Sequence, residues 1–274
     1  MTGYEPEGSN PLHIERYTLP TGARDADRLM LLDEIYSPAT ESLLDELGLP
    51  SGSGIADLGC GTGLMSVRFA RRFDAGHVTG VDISEAQIGV ARENAGRRQL
   101  QNVAFNVTSV YQTGLPTSAF DLVFCRAVLC HLREPLRALA EMRRLLKPGG
   151  TLLCEDLDSL GMVTDSVTQA LAEFDLSVGR ALGIDFNIGL KLPRLMRAVG
   201  VADPKIRFFQ PVFLNGEAKR FVEYSWAAQL PFLVDAGVAS REDVETHLAN
   251  LRRLNEDENQ VAAQFRLTQV WGRG

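Results

Sequence analysis

The stretch Ile55-Ala56-Asp57-Leu58-Gly59-Cys60-Gly61-Thr62-Gly63 constrains this chain more than any other. A short apolar run ends in an acid, glycines follow at alternate positions, and an amphipathic segment begins at Leu64. The pattern reads as strand, tight turn and helix. Glycine admits positive φ and lacks the Cβ that would hold a ligand away from the backbone. The helix start adds unpaired N–H groups and a partial positive charge. A small molecule can lie against main chain there.

A second element sharpens this. His77-Val78-Thr79-Gly80-Val81-Asp82 is a strand that also ends in an acid, about 20 residues beyond the glycines. A carboxylate at that place accepts hydrogen bonds from ribose hydroxyls, which points to a nucleoside-bearing cofactor. Ser84 and Gln87 have capping-box spacing and start the next helix beside the site. A dinucleotide fold would require G-x-G-x-x-G, whose last glycine lets helix pack on strand. Counted from Gly59 that position is Leu64, and from Gly61 it is Ser66, so the dinucleotide pattern is not met.

Asp57-Leu58-Gly59-Cys60-Gly61-Thr62-Gly63 with Gly80-Val81-Asp82 resembles the class I S-adenosylmethionine-dependent methyltransferases. Phe120-Asp121-Leu122-Val123-Phe124 and Leu146-Lys147-Pro148-Gly149-Gly150 match the same family in order and spacing. The resemblance covers residues 50–156 and, through Val128-Leu129-Cys130-His131-Leu132, is similar to the ubiquinone-biosynthesis and natural-product branch. It implies S-adenosyl-L-methionine as cofactor. It also implies a Rossmann-like α/β fold with a seven-stranded sheet of order 3-2-1-4-5-7-6, the last strand antiparallel.

Composition sets the outer limits. The chain has 274 residues, 45% hydrophobic and 23% charged, an ordinary globular balance. No apolar run reaches the roughly 20 residues that span a bilayer, and Met1 to Asn10 is polar. A cytoplasmic protein with no membrane partner is expected, as monomer or homodimer. The net charge of −7 disfavours nucleic acid, whose phosphates need clustered cations. Arg71-Arg72, Arg97-Arg98 and Arg143-Arg144 are read as solvated helix faces. Cys60, Cys125, Cys130 and Cys154 form no C-x-x-C pair and the histidines are scattered, so reduced thiols and no metal are expected.

In chain order, residues 1–20 read as an arm. Arg24 to Tyr36 is helical, and Ser37-Pro38 restarts a helix that ends at Gly48. Residues 1–48 are thus expected to cover the cofactor site, and 49–274 to form the methyltransferase domain. Strands at 55–58, 77–82, 103–107, 120–125 and 151–155 alternate with helices at 64–73, 85–96 and 134–146. Such alternation gives parallel strands with the ligand over their carboxyl ends.

The resemblance places the cofactor on Asp57, Gly59, Gly61, Gly63, Asp82 and Ile83, then on Ser109 and Val110 after the third strand. Ser109 stands where the family usually carries an acid for the adenine amino group. Arg126 ends the fourth strand and either holds a carboxylate of cofactor or substrate, or pairs with Glu155 or Asp156. Tyr17 and Arg28 are placed to reach the cofactor's carboxylate or simply to pack. His131 is the candidate general base, with packing as its other reading. Glu155, Asp156 and Asp158 leave the fifth strand at the same rim, to orient an acceptor or cap the next helix.

Past Asp158 the pattern gives helices at 163–182 and 190–199, a strand at 205–214, helices at 217–230 (ended by Pro231) and 240–254, and a strand at 264–271. Segments at about 159–200 and 216–258 are expected to be lid insertions over the acceptor. Phe174, Phe186, Phe221, Tyr224, Trp226 and Phe232 supply large aromatics, some for the core and some for an apolar pocket. The function read from the sequence is in-line methyl transfer to a small-molecule acceptor, a natural product or related metabolite. The alternatives are an NAD(P)-dependent oxidoreductase and a non-catalytic cofactor-binding partner protein of the same fold. RNA or protein methylation is weakened by the chain's acidity.

Overall fold

A computed structural model describes residues 26–158 and 166–274. In the first half strands and helices alternate: α1 (Ala26–Leu47), β1 (Gly54–Leu58), α2 (Leu64–Arg72), β2 (His77–Asp82), α3 (Glu85–Arg97), β3 (Val103–Val107), β4 (Phe120–Arg126), α4 (Pro135–Leu145) and β5 (Leu146–Asp158). The second half holds α5 (Ser166–Leu182), α6 (Leu192–Ala198), β6 (Ala202–Phe209), β7 (Val212–Phe213), α7 (Phe221–Asp235), α8 (Arg241–Glu256), β8 (Ala262–Ala263) and β9 (Arg266–Arg273). Strands β1 and β4 are apolar along nearly their whole length because helices cover both sheet faces.

The main sheet runs β3-β2-β1-β4-β5-β9-β6. Strands β1 to β5 run parallel to one another, and β9 lies antiparallel between β5 and β6. With the two-residue β7–β8 ladder set aside, this is the expected seven-strand order and the fold is Rossmann-like. Helix α1 packs with the late helices: Leu31, Ile35 and Tyr36 share one apolar cluster with Leu171, Phe221 and Trp226. The Tyr36 hydroxyl donates to the Phe265 carbonyl at 2.8 Å.

Four boundaries differ from the sequence reading. Helix α1 passes straight through Ser37-Pro38, and α7 passes through Pro231. Proline deprives the carbonyl four residues earlier of its N–H partner. Pro38 and Glu34 are both exposed, as are Pro231 and Ala227, so in each helix the gap falls on the wet face, where water can serve the carbonyl. Ser37 is therefore not an N-cap; it is buried and its hydroxyl donates to the Asp33 carboxylate. Strand β5 extends to Asp158 because β9 pairs with it over Thr151–Asp158. The expected strand 205–214 is broken at Gln210-Pro211, after which β7 pairs with β8 instead.

Candidate active site

The glycine loop turns at the end of β1. Gly59, Gly61 and Gly63 have φ of 71°, 53° and 73°, the left-handed region that costs other residues about 1–2 kcal/mol. The three differ in surroundings. A Cβ on Gly59 would lie 2.4 Å from Val128 Cγ2, and one on Gly61 would meet nothing within 4 Å. Gly63 N-caps α2 and does not line the cavity; a Cβ there would lie 2.7 Å from Ala91 Cβ and 2.9 Å from the Phe105 ring. It thus supplies the close helix packing that a dinucleotide fold assigns to a later glycine.

The first N–H groups of the loop are taken up within the protein. Gly59 and Cys60 donate to the Val81 carbonyl at 2.7 and 2.9 Å, and Gly61 donates to Asp82 Oδ2 at 3.0 Å. Asp82 Oδ1 accepts the Ser84 N–H at 2.9 Å. Strand β2 lies beside β1 in register, so its last carbonyl and carboxylate meet the loop first. Burial raises the Asp82 pKa despite these bonds. Asp57, fully buried, accepts the Ser66 hydroxyl at 2.6 Å and is pushed up to about 6, mainly by desolvation.

These groups border a cavity of about 300 Å³, mostly apolar. Of the residues singled out from the sequence, Asp57, Gly59, Gly61, Asp82, Ile83, Ser109, Val110, Arg126 and His131 line it together. Arg28 lines it too. Tyr17 lies outside the described residues. Ser109 accepts the Tyr111 N–H at 3.2 Å, closing the turn after β3. Ser84 caps α3 by accepting the Gln87 N–H at 3.3 Å, whereas Gln87 Oε1 is buried without a hydrogen-bond partner, so the reciprocal half of the capping box is not made.

Arg126 takes neither of the acids offered from the sequence. Its guanidinium reaches Asp33 Oδ1 and Ser37 Oγ, each at 3.1 Å, and both ionic side chains are 8% exposed. Asp33 Oδ2 also accepts from Arg68 Nε at 2.8 Å. Asp33 was hidden in the sequence as a polar residue inside the apolar stripe of α1, four residues from Leu29. That interruption was the available signal.

The carboxylates of β5 are internal ties. Glu155 accepts from Thr40 at 2.7 Å and from Gln269 at 2.5 Å, and Asp158 accepts from Thr268 at 2.9 Å and Arg266 at 3.1 Å. Asp156 takes the Cys130 N–H at 3.1 Å and so fixes the turn Leu129–His131. None of the three lines the cavity; they are held inside the longer β5 by its pairing with β9. His131 does line it, and burial, then the neighbouring Arg28 charge, hold its pKa down to about 4.

The far wall is apolar. Phe186, Phe221 and Trp226 face the cavity with Leu157, Leu182 and Ile184. Phe174 instead stacks on His247 with ring centres 4.4 Å apart, and Tyr224 bonds Glu217. Among the described residues no group of three or more His, Cys, Asp or Glu side chains is placed to hold a metal. No described helix is long and apolar enough to cross a membrane. The four cysteines are free thiols.

Known proteins agree with this geometry. Residues 56–154 match a family model described as a methyltransferase domain. The chain is 35% identical over 112 residues to an uncharacterized methyltransferase of Schizosaccharomyces pombe, covering 39% of this chain and 40% of that one. It is 30% identical over 153 residues to methyltransferase GfsG of Streptomyces halstedii, covering 55% of each. The chain thus spans about half the length of the curated relatives it matches. The YcgJ protein of Bacillus subtilis superposes with a TM-score of 0.60 at 18% identity, over 85% of this chain and 96% of that one, which speaks to the fold. The glycine loop, the acid ending β2, the sheet order and the domain match agree: residues 56–154 carry a methyltransferase domain, on a fold like that of the class I S-adenosylmethionine-dependent methyltransferases.

Proposed function

We propose that the protein transfers a methyl group from S-adenosyl-L-methionine to an enclosed small-molecule acceptor, a natural product or related metabolite. The observation that carries this reading is the electrostatic character of the loop. A pyrophosphate wants open N–H groups; here those of Gly59, Cys60 and Gly61 are already bonded to β2, and Asp57 and Asp82 border the space. Such a site suits a cation with a sugar rather than an anion.

The residues present fit that cofactor. Gly61 leaves open space where a Cβ would stand. Asp82 would accept from the ribose hydroxyls with the lone pairs its N–H partners leave, while Ile83, Ser109 and Val110 would border the adenine. Asp57 would face the positive amino-acid end, and the Arg126–Asp33 pair would border the same end. When bound, the cofactor supplies a methyl group on a sulfonium, already electrophilic. The chain's own task is then to align the acceptor and exclude water; alignment supplies about 7–11 kcal/mol in the best intramolecular cases. A His131 held near 4 is neutral at pH 7 but a weak base, so its proposed role is hydrogen bonding to the acceptor rather than strong proton abstraction.

Residues 1–48 are read as a cover on the cofactor side, and 49–274 as the catalytic domain with α5, α7 and α8 as a lid. Its mostly apolar lining supports an acceptor with a large apolar body. Calorimetric titration with S-adenosylhomocysteine and with NADH tests the reading: the former is expected to bind and the latter not. Binding of NADH alone would reverse it in favour of an oxidoreductase. Cofactor binding with no transfer across a broad acceptor panel would favour a non-catalytic partner protein.

A further inference from the structure

Behind the cavity's apolar wall lies a polar pair that takes no part in the proposed transfer. Asp175 of α5 and His247 of α8 are buried, with His247 Nε2 3.4 Å from Asp175 Oδ1. The surrounding interface of α5, α7 and α8 is apolar: Leu171, Val178, Trp226, Val244, Leu248 and Leu251 share one cluster. Phe174 stacks on the imidazole with ring centres 4.4 Å apart, and Trp226 meets it edge-on at 4.8 Å. The Phe174 and Trp226 rings lie 5.2 Å apart, so three rings pack together beside one acid.

As a source of stability the pair is poor. Among the described residues neither carboxylate oxygen of Asp175 nor Nε2 of His247 makes a hydrogen bond. Burial raises the Asp175 pKa, and His247 offsets that only in part. Glu223 of α7 is a proper tie to α8 by contrast, accepting from Arg252 and Asn255 at 3.0 Å each. A loosely paired acid in a dry interface costs desolvation, and an apolar pair of similar volume commonly serves stability as well or better. What the polar pair supplies is register, because few dockings of α8 on α5 bring the imidazole to the acid.

Of Phe174, Asp175, Trp226 and His247, only Trp226 lines the cavity. Among the described residues α8 contributes nothing to that lining, so it bears on the acceptor through the helices it packs on. We propose that Asp175 and His247 are positioning residues for the acceptor: they fix how α8 docks on α5, and the rings packed on His247 carry that setting to Trp226 in the cavity wall. The inference rests on the methyltransferase reading for what the cavity holds. It adds that the width open to the acceptor's apolar body is set by two residues outside the cavity.

The test uses two neutral probes that share a hydroxyl and differ in breadth, 2-naphthol and 1-hydroxypyrene, titrated into protein saturated with S-adenosylhomocysteine. Asp175→Leu combined with His247→Phe makes the interface apolar and should keep the melting temperature at or above that of the unaltered protein. Its naphthol-to-hydroxypyrene affinity ratio should nonetheless change by at least about 10-fold, the effect of one methylene in an apolar pocket. Cofactor-product affinity should stay within about 3-fold. Asp175→Asn keeps the shape and a hydrogen-bonding partner for the imidazole, so it should keep the original ratio. A double variant that folds with an unchanged ratio overturns the inference. If it does not fold, Asp175→Ser decides by the same ratio, since it draws the polar group away from His247. Trp226 and Trp271 are the chain's two tryptophans, so a Trp271→Phe background isolates the emission of Trp226. That spectrum should shift in the same variants and not in Asp175→Asn; it decides the matter if neither probe binds, and an unchanged spectrum overturns the inference. If the unaltered protein fails to bind S-adenosylhomocysteine, the methyltransferase reading falls by itself, and the spectrum still reports whether the pair places Trp226.

Discussion

Two walls of the same cavity are built by different means. Along residues 57–84 each polar group is tied to backbone or to a side chain a few residues away or one strand over: Asp57 to Ser66, Gly61 to Asp82, Asp82 to Ser84. Along α1, α7 and the segment around Phe186, the lining is mostly hydrocarbon and aromatic, interrupted by Arg28, Asp33, Ser225 and Gln229, and its elements come from opposite ends of the chain. In the proposed function the first wall holds the cofactor with a fixed backbone turn and two acids. The second wall, in the same proposal, selects the acceptor by shape, so single substitutions there should alter acceptor choice and lid stability without touching the cofactor.

The sharpest way to break that contrast is to damage one wall and measure at the other. Trp226 is 3% exposed and lies between the cavity and His247, with ring centres 4.8 Å apart. Trp226→Ala is expected to cost about 3–5 kcal/mol of stability, as large aromatic deletions do. Thermal melting should show the loss, while S-adenosylhomocysteine affinity, titrated below the lowered melting point, stays within about 3-fold if the walls are separable. Loss of cofactor affinity in that variant would mean the two walls act as one.

The converse change is Asp82→Ala. It removes the acceptor of two loop N–H groups and the proposed sugar contact, so cofactor affinity should fall by about 100-fold, near 3 kcal/mol. Calorimetry would read this directly. Unchanged affinity would remove the loop from the proposed site.

Asp57 gives a smaller effect with a definite pH sign. Its pKa is raised from 3.8 to about 6 by burial, so ionising it opposes folding. That opposition is absent below about pH 4, grows as pH rises between the two values, and is complete above about 6. Asp57→Asn should therefore stabilise the ligand-free protein by about 2–3 kcal/mol at pH 8 and hardly at all near pH 4. A melting difference that does not shrink on acidification would show that the ionised carboxylate is stabilised in some other way.

His131→Ala is expected to have the least effect, lowering kcat by no more than about 10-fold, since a general base would account for about 10²–10⁴. For the unaltered enzyme, kcat should show no step due to this histidine between pH 6 and 9, because it is already neutral well above 4. A larger loss together with a step in kcat near neutral pH would restore it as the base.

What could be read in advance follows the same division. The glycine turn, both strand-ending acids and the alternation of strands and helices are local patterns, and together with the family resemblance they pointed to nine residues, from Asp57 to His131, that line the cavity. Gly63 belonged to the right motif with the wrong task, because its role depends on Ala91 and Phe105 arriving from elsewhere. The prolines misled for one reason: Pro38 and Pro231 end helices only if their missing N–H falls where water cannot help, and burial decides that. The rim carboxylates misled likewise, since only pairing with a strand more than a hundred residues later turns Glu155 and Asp158 inward.

By itself, then, the sequence determined the sheet's parallel core, the turn that faces the cavity and the class of cofactor, because each depends on residue types at short, fixed spacings. Tertiary structure alone decided the partner of Arg126, the bonding of the loop's N–H groups to β2 and the company of Arg28 and His131. Those depend on which distant surfaces share a dry space, and hydrophobic burial brings them together without regard to order along the chain.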